Sequence, residues 1–133
     1  MAVTALEHLL VLSDDIDAAR DFYRDALGLT EGPRPPLEFA GHWLYAGERP
    51  LLHIGDRASY TAHAASIGLA VAAEPALAAV DHIAFAATDY EEAAARLERC
   101  GIEARRNTVP GIGLRQLFFS APDGVRIEVN VSA

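Results

Sequence analysis

The fold of this chain is decided by a six-residue stretch that occurs twice, first as Leu6-Glu7-His8-Leu9-Leu10-Val11 and again as Val80-Asp81-His82-Ile83-Ala84-Phe85. Each copy reads apolar, acidic, His and then three apolar residues, and each precedes an amphipathic helical pattern. The offset between the two His residues is 74 (82 − 8). A second pair, His53 and Glu128, repeats at an offset of 75 (128 − 53) inside apolar runs. The sequence therefore predicts one unit written twice, with a possible metal ligand at the same two places in each copy.

Length and composition limit the classes of protein to consider. A chain of 133 residues fits one domain, or two small modules that share a core. The net charge of −8 argues against a nucleic-acid partner or an anionic membrane surface, and no apolar run is long enough to cross a bilayer. Cys100 is the only cysteine and the N-terminus lacks a signal-peptide pattern. We therefore expect a cytoplasmic protein without an intrachain disulfide.

The first module, residues 1–56, has the pattern of a βαβββ unit. Three prolines in the stretch 32–36 cannot lie in a central strand or a helix, so they predict an exposed loop after a short strand. The other predicted elements are a strand at 6–12, a helix at about 15–27, and strands at 39–46 and 51–55 joined by the turn Gly47-Glu48-Arg49-Pro50.

The second module, residues 80–133, repeats that order after a linker at 57–79. The linker is rich in Ala and has no clean period, so it is expected to connect the modules or to form a flap over a site. The predicted elements of the second module are a strand at 80–86, a helix at 89–100, a strand at 102–106, and strands at 114–120 and 125–131 around the turn Ala121-Pro122-Asp123-Gly124.

The predicted fold class is α+β, with two tandem βαβββ modules forming curved mixed sheets around a shared cleft. The first and fourth strands of each module are expected to line this cleft, related by a pseudo-two-fold. His8, His53, His82 and Glu128 would each lie at the middle of such a strand, with apolar neighbours facing the other way.

These four residues have the chemistry of a metal site. Neutral imidazoles and a carboxylate suit Zn, Ni, Co, Mn and Fe(II), and three such ligands leave positions open for substrate or water. The alternative interpretation is that they are scattered core residues, since a single His in a strand is more often hydrogen-bonded than metal-bound. The repeat of both pairs favours the metal site, as does Glu128, because a buried carboxylate without a partner is costly.

The chain resembles the vicinal oxygen chelate superfamily, which includes glyoxalase I, bleomycin-resistance proteins and extradiol dioxygenases. The resemblance covers nearly the whole chain outside the linker. Its motifs are Leu6-Glu7-His8-Leu9, then Asp17 with Phe22-Tyr23 and Leu27-Gly28-Leu29, then Val80-Asp81-His82-Ile83-Ala84-Phe85, and finally Pro122-Asp123-Gly124 with Ile127-Glu128.

The resemblance implies one divalent metal ion held by His8 and His53 of the first module and His82 and Glu128 of the second. His53 departs from the pattern of the superfamily, because glyoxalase I usually carries Glu at that position and the epimerases of the superfamily carry Gln. A His there removes one carboxylate that glyoxalase chemistry uses, which argues against glutathione-dependent lactoylglutathione lyase activity. His8, His82 and Glu128 also match the ligands of the dioxygenases, whereas bleomycin-resistance proteins lack this set.

Four further residues are candidates for substrate binding. Trp43 and Phe118 occupy equivalent positions and could form an apolar wall, although core packing explains them equally well. Asn130 lies two residues after Glu128 and so on the same strand face, from which it could reach substrate or a ligand residue. Arg115 could bind a substrate carboxylate, although a solvated strand charge is as plausible.

The sequence thus predicts a metal-dependent enzyme of glyoxalase-like type. The metal would act as a Lewis acid on a small substrate with two neighbouring oxygens, in an isomerase or lyase reaction, with Glu128 as ligand and base. An Fe(II) ring-cleaving dioxygenase is the first alternative, and a metal-free drug- or metabolite-binding protein is the second. By resemblance we also expect a homodimer.

Overall fold

The computed structural model describes residues 4–69 and 80–132. Within them the chain forms two compact units. The first contains strands β1 (Leu9–Ser13), β2 (Thr30–Gly32), β3 (Gly41–Ala46) and β4 (Arg49–Asp56), with helices α1 (Ile16–Leu27) and α2 (Arg57–Ser66). Helix α1 belongs to this unit as far as Arg24. The second contains strands β5 (His82–Ala87), β6 (Arg105–Val109), β7 (Leu114–Ser120) and β8 (Arg126–Val131), with helix α3 (Tyr90–Arg99).

Each unit has a four-stranded mixed sheet. The orders are β1-β4-β3-β2 and β5-β8-β7-β6, and in each sheet the first and last strands of the unit are parallel neighbours. This confirms the predicted α+β class and the repeated βαβββ order. Alternation along the central strands buries one face of each sheet, where the fully buried side chains are Leu44, Leu52 and Ile54 in the first unit and Leu117 and Ile127 in the second.

Local sequence signals explain the helix starts. The carboxylate of Asp15 accepts a hydrogen bond from the Ala18 amide at 3.0 Å, and that of Asp89 accepts one from the Glu92 amide at 3.0 Å. Such side chains satisfy amides that have no partner within a helix. The predicted helices at 15–27 and 89–100 agree with α1 and α3 to within a residue at each end.

The linker prediction needs a correction. Its first part is helix α2, which the sequence pattern did not predict because residues 57–66 have no apolar stripe at helical spacing. Asp56 caps this helix by accepting a hydrogen bond from the Ser59 amide at 2.9 Å. Residues 70–79 of the predicted linker lie outside the described residues.

Several strand limits also differ from the prediction. The first strand of each unit starts later than expected, so His8 precedes β1 and His82 is the first residue of β5, rather than each lying mid-strand. Strand β6 likewise starts three residues later than the predicted 102. The turn predicted over 47–50 is shorter, because Arg49 already pairs with Ala46. Gly47 adopts a positive φ of 61° in this two-residue turn, which favours glycine.

No helix among the residues that the structure describes is long and apolar enough to span a membrane.

Candidate functional site

The first unit brings His8 and His53 together in a stack of three flat rings. His53 lies on β4, and Trp43 lies directly opposite it on β3. The ring of His53 is sandwiched between Trp43 and His8, with both centroid distances at 4.0 Å and interplanar angles of 10° and 11°. The predicted pair of site residues is therefore in contact, but through ring faces rather than through nitrogen atoms.

Hydrogen bonds fix which nitrogen of each ring is free. His53 Nε2 donates to the carbonyl of Pro50 at 2.9 Å, next to an irregularity in the β3–β4 pairing. His8 Nδ1 donates to the carboxylate of Glu7 at 2.9 Å. Because both partners only accept, the free lone pairs are on Nδ1 of His53 and Nε2 of His8. Burial, and after it the charge of His8, hold the pKa of His53 below its usual range.

The stack limits how these two imidazoles can bind a metal ion. A nitrogen lone pair lies in the plane of its ring, and these planes are nearly parallel at a centroid distance of 4.0 Å. An ion about 2.0–2.1 Å from one nitrogen, in the plane of that ring, lies well outside the plane of the other. His8 and His53 therefore cannot both bind one ion in this arrangement, and one ring must rotate first.

The second unit brings His82 and Glu128 together. Glu128 lies on β8, is only 9% exposed, and is the buried charged residue of the part of the chain that the structure describes. Its Oε1 is 3.7 Å from His82 Nε2, which is too long for a direct hydrogen bond. His82 Nδ1 donates to Asp81 at 2.9 Å, so its Nε2 carries the free lone pair. The hydrogen bond from His82 and the charge of Arg126 hold the pKa of Asp81 below its usual range.

Three side-chain amides continue from Glu128 across the sheet. Asn130 Nδ2 donates to Glu128 Oε2 at 2.7 Å, Gln116 Nε2 donates to Asn130 Oδ1 at 3.1 Å, and Asn107 Nδ2 donates to Gln116 Oε1 at 2.7 Å. Asn107, Gln116 and Asn130 are directly paired across β6, β7 and β8. We call these three residues the amide row. The last residue of the amide row, Asn130, occupies Oε2 of Glu128 and leaves Oε1 facing His82.

The donor chemistry of the second unit fits a metal ion. Two donors bound to one ion at 2.0–2.2 Å lie roughly 3.0–3.5 Å apart in a tetrahedral or octahedral site. The 3.7 Å between His82 Nε2 and Glu128 Oε1 is close to that spacing. Asp81 behind His82 is the kind of partner that fixes the tautomer of a metal-binding imidazole. Within the described residues of each unit, no group of three or more His, Cys, Asp or Glu side chains is arranged for a metal.

The other predicted site residues divide between the two faces of the second sheet. Phe118 pairs directly with Glu128 and so shares its face, as Asn130 does. Arg115 lies on the opposite face, where its guanidinium is 3.5 Å from the centroid of the Tyr90 ring and 3.3 Å from the Glu91 carboxylate.

Four partners of the predicted site residues had themselves been given no role from the sequence, namely Gln116, Asn107, Glu7 and Asp81. The two acids could have been found from the repeated acidic-His dipeptide. Gln116 and Asn107 depend on strand register, which a single sequence does not show.

The two repeated βαβββ units define an α+β protein in which each unit brings together one pair of the predicted site residues. The model of the Glyoxalase/Bleomycin resistance protein/Dioxygenase superfamily matches residues 5–129. The chain is also 33% identical over 138 residues to "Glyoxylase I 4" of Arabidopsis thaliana, across 96% of this chain and 70% of that protein. The chain belongs to the glyoxalase/bleomycin resistance/dioxygenase superfamily, as its sequence motifs predicted.

Solved structures show the same fold in proteins of different activity. A lactoylglutathione lyase from Agrobacterium tumefaciens superposes with a TM-score of 0.71 at 24% identity, over 98% of this chain and 95% of that one. An antibiotic binding protein from a Streptomyces species superposes with a TM-score of 0.67 at 17% identity, over 100% and 99% of the two chains. At these identities the likeness concerns the fold.

Proposed function

We propose that this chain is a divalent-metal-dependent enzyme of glyoxalase type, which isomerises or cleaves a small compound bearing two neighbouring oxygens. The observation that carries the proposal is the buried carboxylate of Glu128, with Oε2 held by an amide and Oε1 left facing the free nitrogen of His82. Burying a carboxylate without a cationic partner in hydrogen-bond contact costs stability, and binding of a metal ion would offset that cost. The superfamily membership and the glyoxalase relative support an enzyme.

The proposed ligands are His82 and Glu128 of the second unit and His8 of the first, with His53 as the fourth candidate. When bound, a divalent ion polarises substrate oxygens as a Lewis acid. Glu7 and Asp81 accept hydrogen bonds from Nδ1 of His8 and His82, which keeps each Nε2 free to bind the ion.

Glu128 is also the proposed general base, and it would accept the proton at Oε1 after that oxygen has released the ion. Asn130 keeps Oε2 occupied, so a proton or an ion meets the carboxylate at one oxygen. Trp43 and Phe118 present flat apolar surfaces next to His53 and Glu128, respectively, and are the proposed substrate contacts. Arg115 is left out of the proposed site because it lies on the opposite face of its sheet. We further propose a cytoplasmic homodimer.

A second candidate is an Fe(II) ring-cleaving dioxygenase. The ring stack favours it, because His53 is engaged with Trp43 and Pro50 and is thereby withdrawn from the ligand set. The remaining set of two His and one carboxylate is typical of non-haem Fe(II) oxygenases.

Elemental analysis of tag-free protein purified without oxygen tests both candidates. Zinc, nickel, cobalt or manganese near one per chain supports the isomerase or lyase, and iron supports the dioxygenase. The bound metal then selects the assay, with 2-oxoaldehydes and other small compounds bearing two neighbouring oxygens for the first and catechols for the second. A protein that retains no metal, and whose melting temperature is unchanged by added metal, contradicts both and leaves the metal-free binding protein.

Two His variants locate the metal. His82→Ala should abolish metal retention and turnover, because it removes a proposed ligand. His63→Ala is the matched control, since His63 lies on α2 beside Phe39, at a ring centroid distance of 5.6 Å, and outside the proposed ligand set. Equal metal loss in both variants would contradict the assignment.

A further inference from the structure

The amide row runs from the exposed edge of the second sheet to its buried carboxylate. Asn107 is exposed, Gln116 and Asn130 are half-buried, and Glu128 is buried. The three residues contribute one amide each from three neighbouring strands, at directly paired positions. Every amide therefore donates one hydrogen bond toward Glu128, and Gln116 and Asn130 each also accept one from the exposed side.

The direction of the row is set by its buried end. An ionised carboxylate only accepts hydrogen bonds, so Asn130 must turn its NH₂ group toward Glu128 and its carbonyl toward Gln116. Gln116 must in turn direct its NH₂ group toward the carbonyl of Asn130, and Asn107 must direct its NH₂ group toward the carbonyl of Gln116. Such uncharged donors orient the carboxylate without neutralising it, which a salt bridge to Arg would do.

The first unit provides a natural comparison. Gly41 pairs with Gly55 at the positions where Gln116 pairs with Asn130 in the second unit, and His53 stands where Glu128 stands. The amides are thus present beside the carboxylate and absent beside the imidazole at equivalent positions. This supports a link between the row and the carboxylate rather than a general need of the sheet.

We propose that Asn130, held by Gln116 and Asn107, is a positioning residue that fixes Oε2 of Glu128 and presents Oε1 alone to a metal ion. This inference rests on the proposed function of Glu128 as a ligand. The row acts by limiting the carboxylate to one oxygen and one rotamer, so its effect should fall with distance, from Asn130 through Gln116 to Asn107.

Titration of the metal-free protein with Co²⁺, followed by its visible absorption, measures both affinity and the ligand arrangement. Asn130→Ala should weaken Co²⁺ binding about 10–100-fold, as is typical for loss of a residue that supports a ligand. It should also change the absorption spectrum, because the freed carboxylate can offer both oxygens. Gln116→Leu, which leaves the Asn130–Glu128 contact in place, should weaken binding by a smaller factor of about 3–10. Ser120→Ala, on the same strand as Gln116, should match the parent protein.

The outcomes separate the inference from the function on which it rests. If Glu128→Gln weakens Co²⁺ binding while Asn130→Ala and Gln116→Leu bind with the parent affinity and spectrum, the positioning role is wrong and the proposed function stands. If Glu128→Gln itself binds Co²⁺ as the parent does, the proposed function fails and the positioning role fails with it. Melting temperatures identify a variant that has lost its fold, and in that case Gln116→Leu decides the question.

Discussion

The two units share a backbone plan but support their central site residue in opposite ways. In the first unit His53 lies between two flat rings, and the neighbouring pair is Gly41 and Gly55. In the second unit Glu128 has Asn130 as its nearest polar support, and the equivalent pair is Gln116 and Asn130. An imidazole can be stabilised through its faces, whereas a buried carboxylate requires donors at its oxygens. The repeated strand order therefore determines the position of the central residue in each unit, and the residues around that position determine whether it can be an imidazole or a carboxylate.

The largest effect is expected from moving the amide of Gln116 into the first unit. A Cβ at residue 41 would lie 2.1 Å from the backbone carbonyl of Ile54, so Gly41→Gln forces β3 and β4 apart. We expect a loss of more than about 3 kcal/mol in unfolding free energy. Urea unfolding followed by the fluorescence of Trp43, the only tryptophan, reports on this unit. Gly55→Ala is the control, because its Cβ meets only side-chain ends at 3.2–3.3 Å and should cost less than about 1 kcal/mol.

The next effect concerns metal affinity at the two equivalent positions. Glu128→Gln should weaken binding of a divalent ion by about 100-fold or more, because an amide oxygen carries no charge and binds metals more weakly. His53→Gln should weaken it by less than about 10-fold, since the stack keeps His53 from acting together with His8. Calorimetric titration with Zn²⁺ measures both. Equal losses would mean that the stack opens when the metal binds.

A smaller effect is expected from removing the flat ring beside each site residue. Trp43→Leu removes the partner that stacks on His53 at 4.0 Å and should cost about 1 kcal/mol of stacking energy beyond the lost apolar area. Phe118→Leu is the equivalent change in the second unit and should cost less, because a carboxylate rather than an imidazole lies opposite. Unfolding followed by circular dichroism compares the two. A larger loss for Phe118→Leu would contradict the role given to the stack.

The smallest effect is an acid-dependent contribution to stability in the first unit. The hydrogen bond from His42, at 2.8 Å, is the largest cause that holds the pKa of Asp17 below its usual range, and the charge of Arg20 adds to it. A carboxyl group whose pKa is lowered by folding stabilises the protein above its unfolded pKa of about 3.9, and this stabilisation is lost as the pH falls through the folded value.

Asp17→Asn should therefore lose stability less steeply than the parent protein between about pH 4 and pH 2. Urea midpoints at several pH values measure this slope. Glu48→Gln, in the exposed hairpin turn, controls for the removal of one carboxylate. If the urea midpoints of the parent and of Asp17→Asn fall equally steeply below about pH 4, the His42 hydrogen bond makes no such contribution. In the second unit, Arg115 makes the corresponding helix-to-sheet contact with Glu91.

Much of the fold follows from local signals in the sequence. The repeated acidic-His motif identified equivalent positions, and the helices predicted at about 15–27 and at 89–100 agree with α1 and α3, which Asp15 and Asp89 cap. Helix α2 was missed because its composition has no helical period, although Asp56 three residues before Ser59 was a usable capping signal. Propensity and periodicity thus succeed where an element carries its own amphipathic pattern.

The candidate site was predictable as residues but not as interactions. The two-residue spacing placed Asn130 on the face of Glu128, where the structure shows their hydrogen bond. The stack on His53 and the contact between Gln116 and Asn107 depend on the register between strands, which is fixed by the whole sheet. Arg115 is a different case, because it lies three residues before Phe118 on β7 and alternation along a strand already places such residues on opposite faces.

The parallel pairing of the first and last strands has a consequence for the order of folding. His8 and His53 are 45 positions apart (53 − 8), and His82 and Glu128 are 46 apart (128 − 82), yet the parallel pairing of the first and last strands brings each pair together. Closing such long stretches of chain is entropically costly, and non-local pairing of this kind slows folding. The contact of His53 with Trp43 needs only the hairpin of β3 and β4, whereas its contact with His8 requires the parallel pairing of β1 and β4, so we expect the third ring to join the stack last.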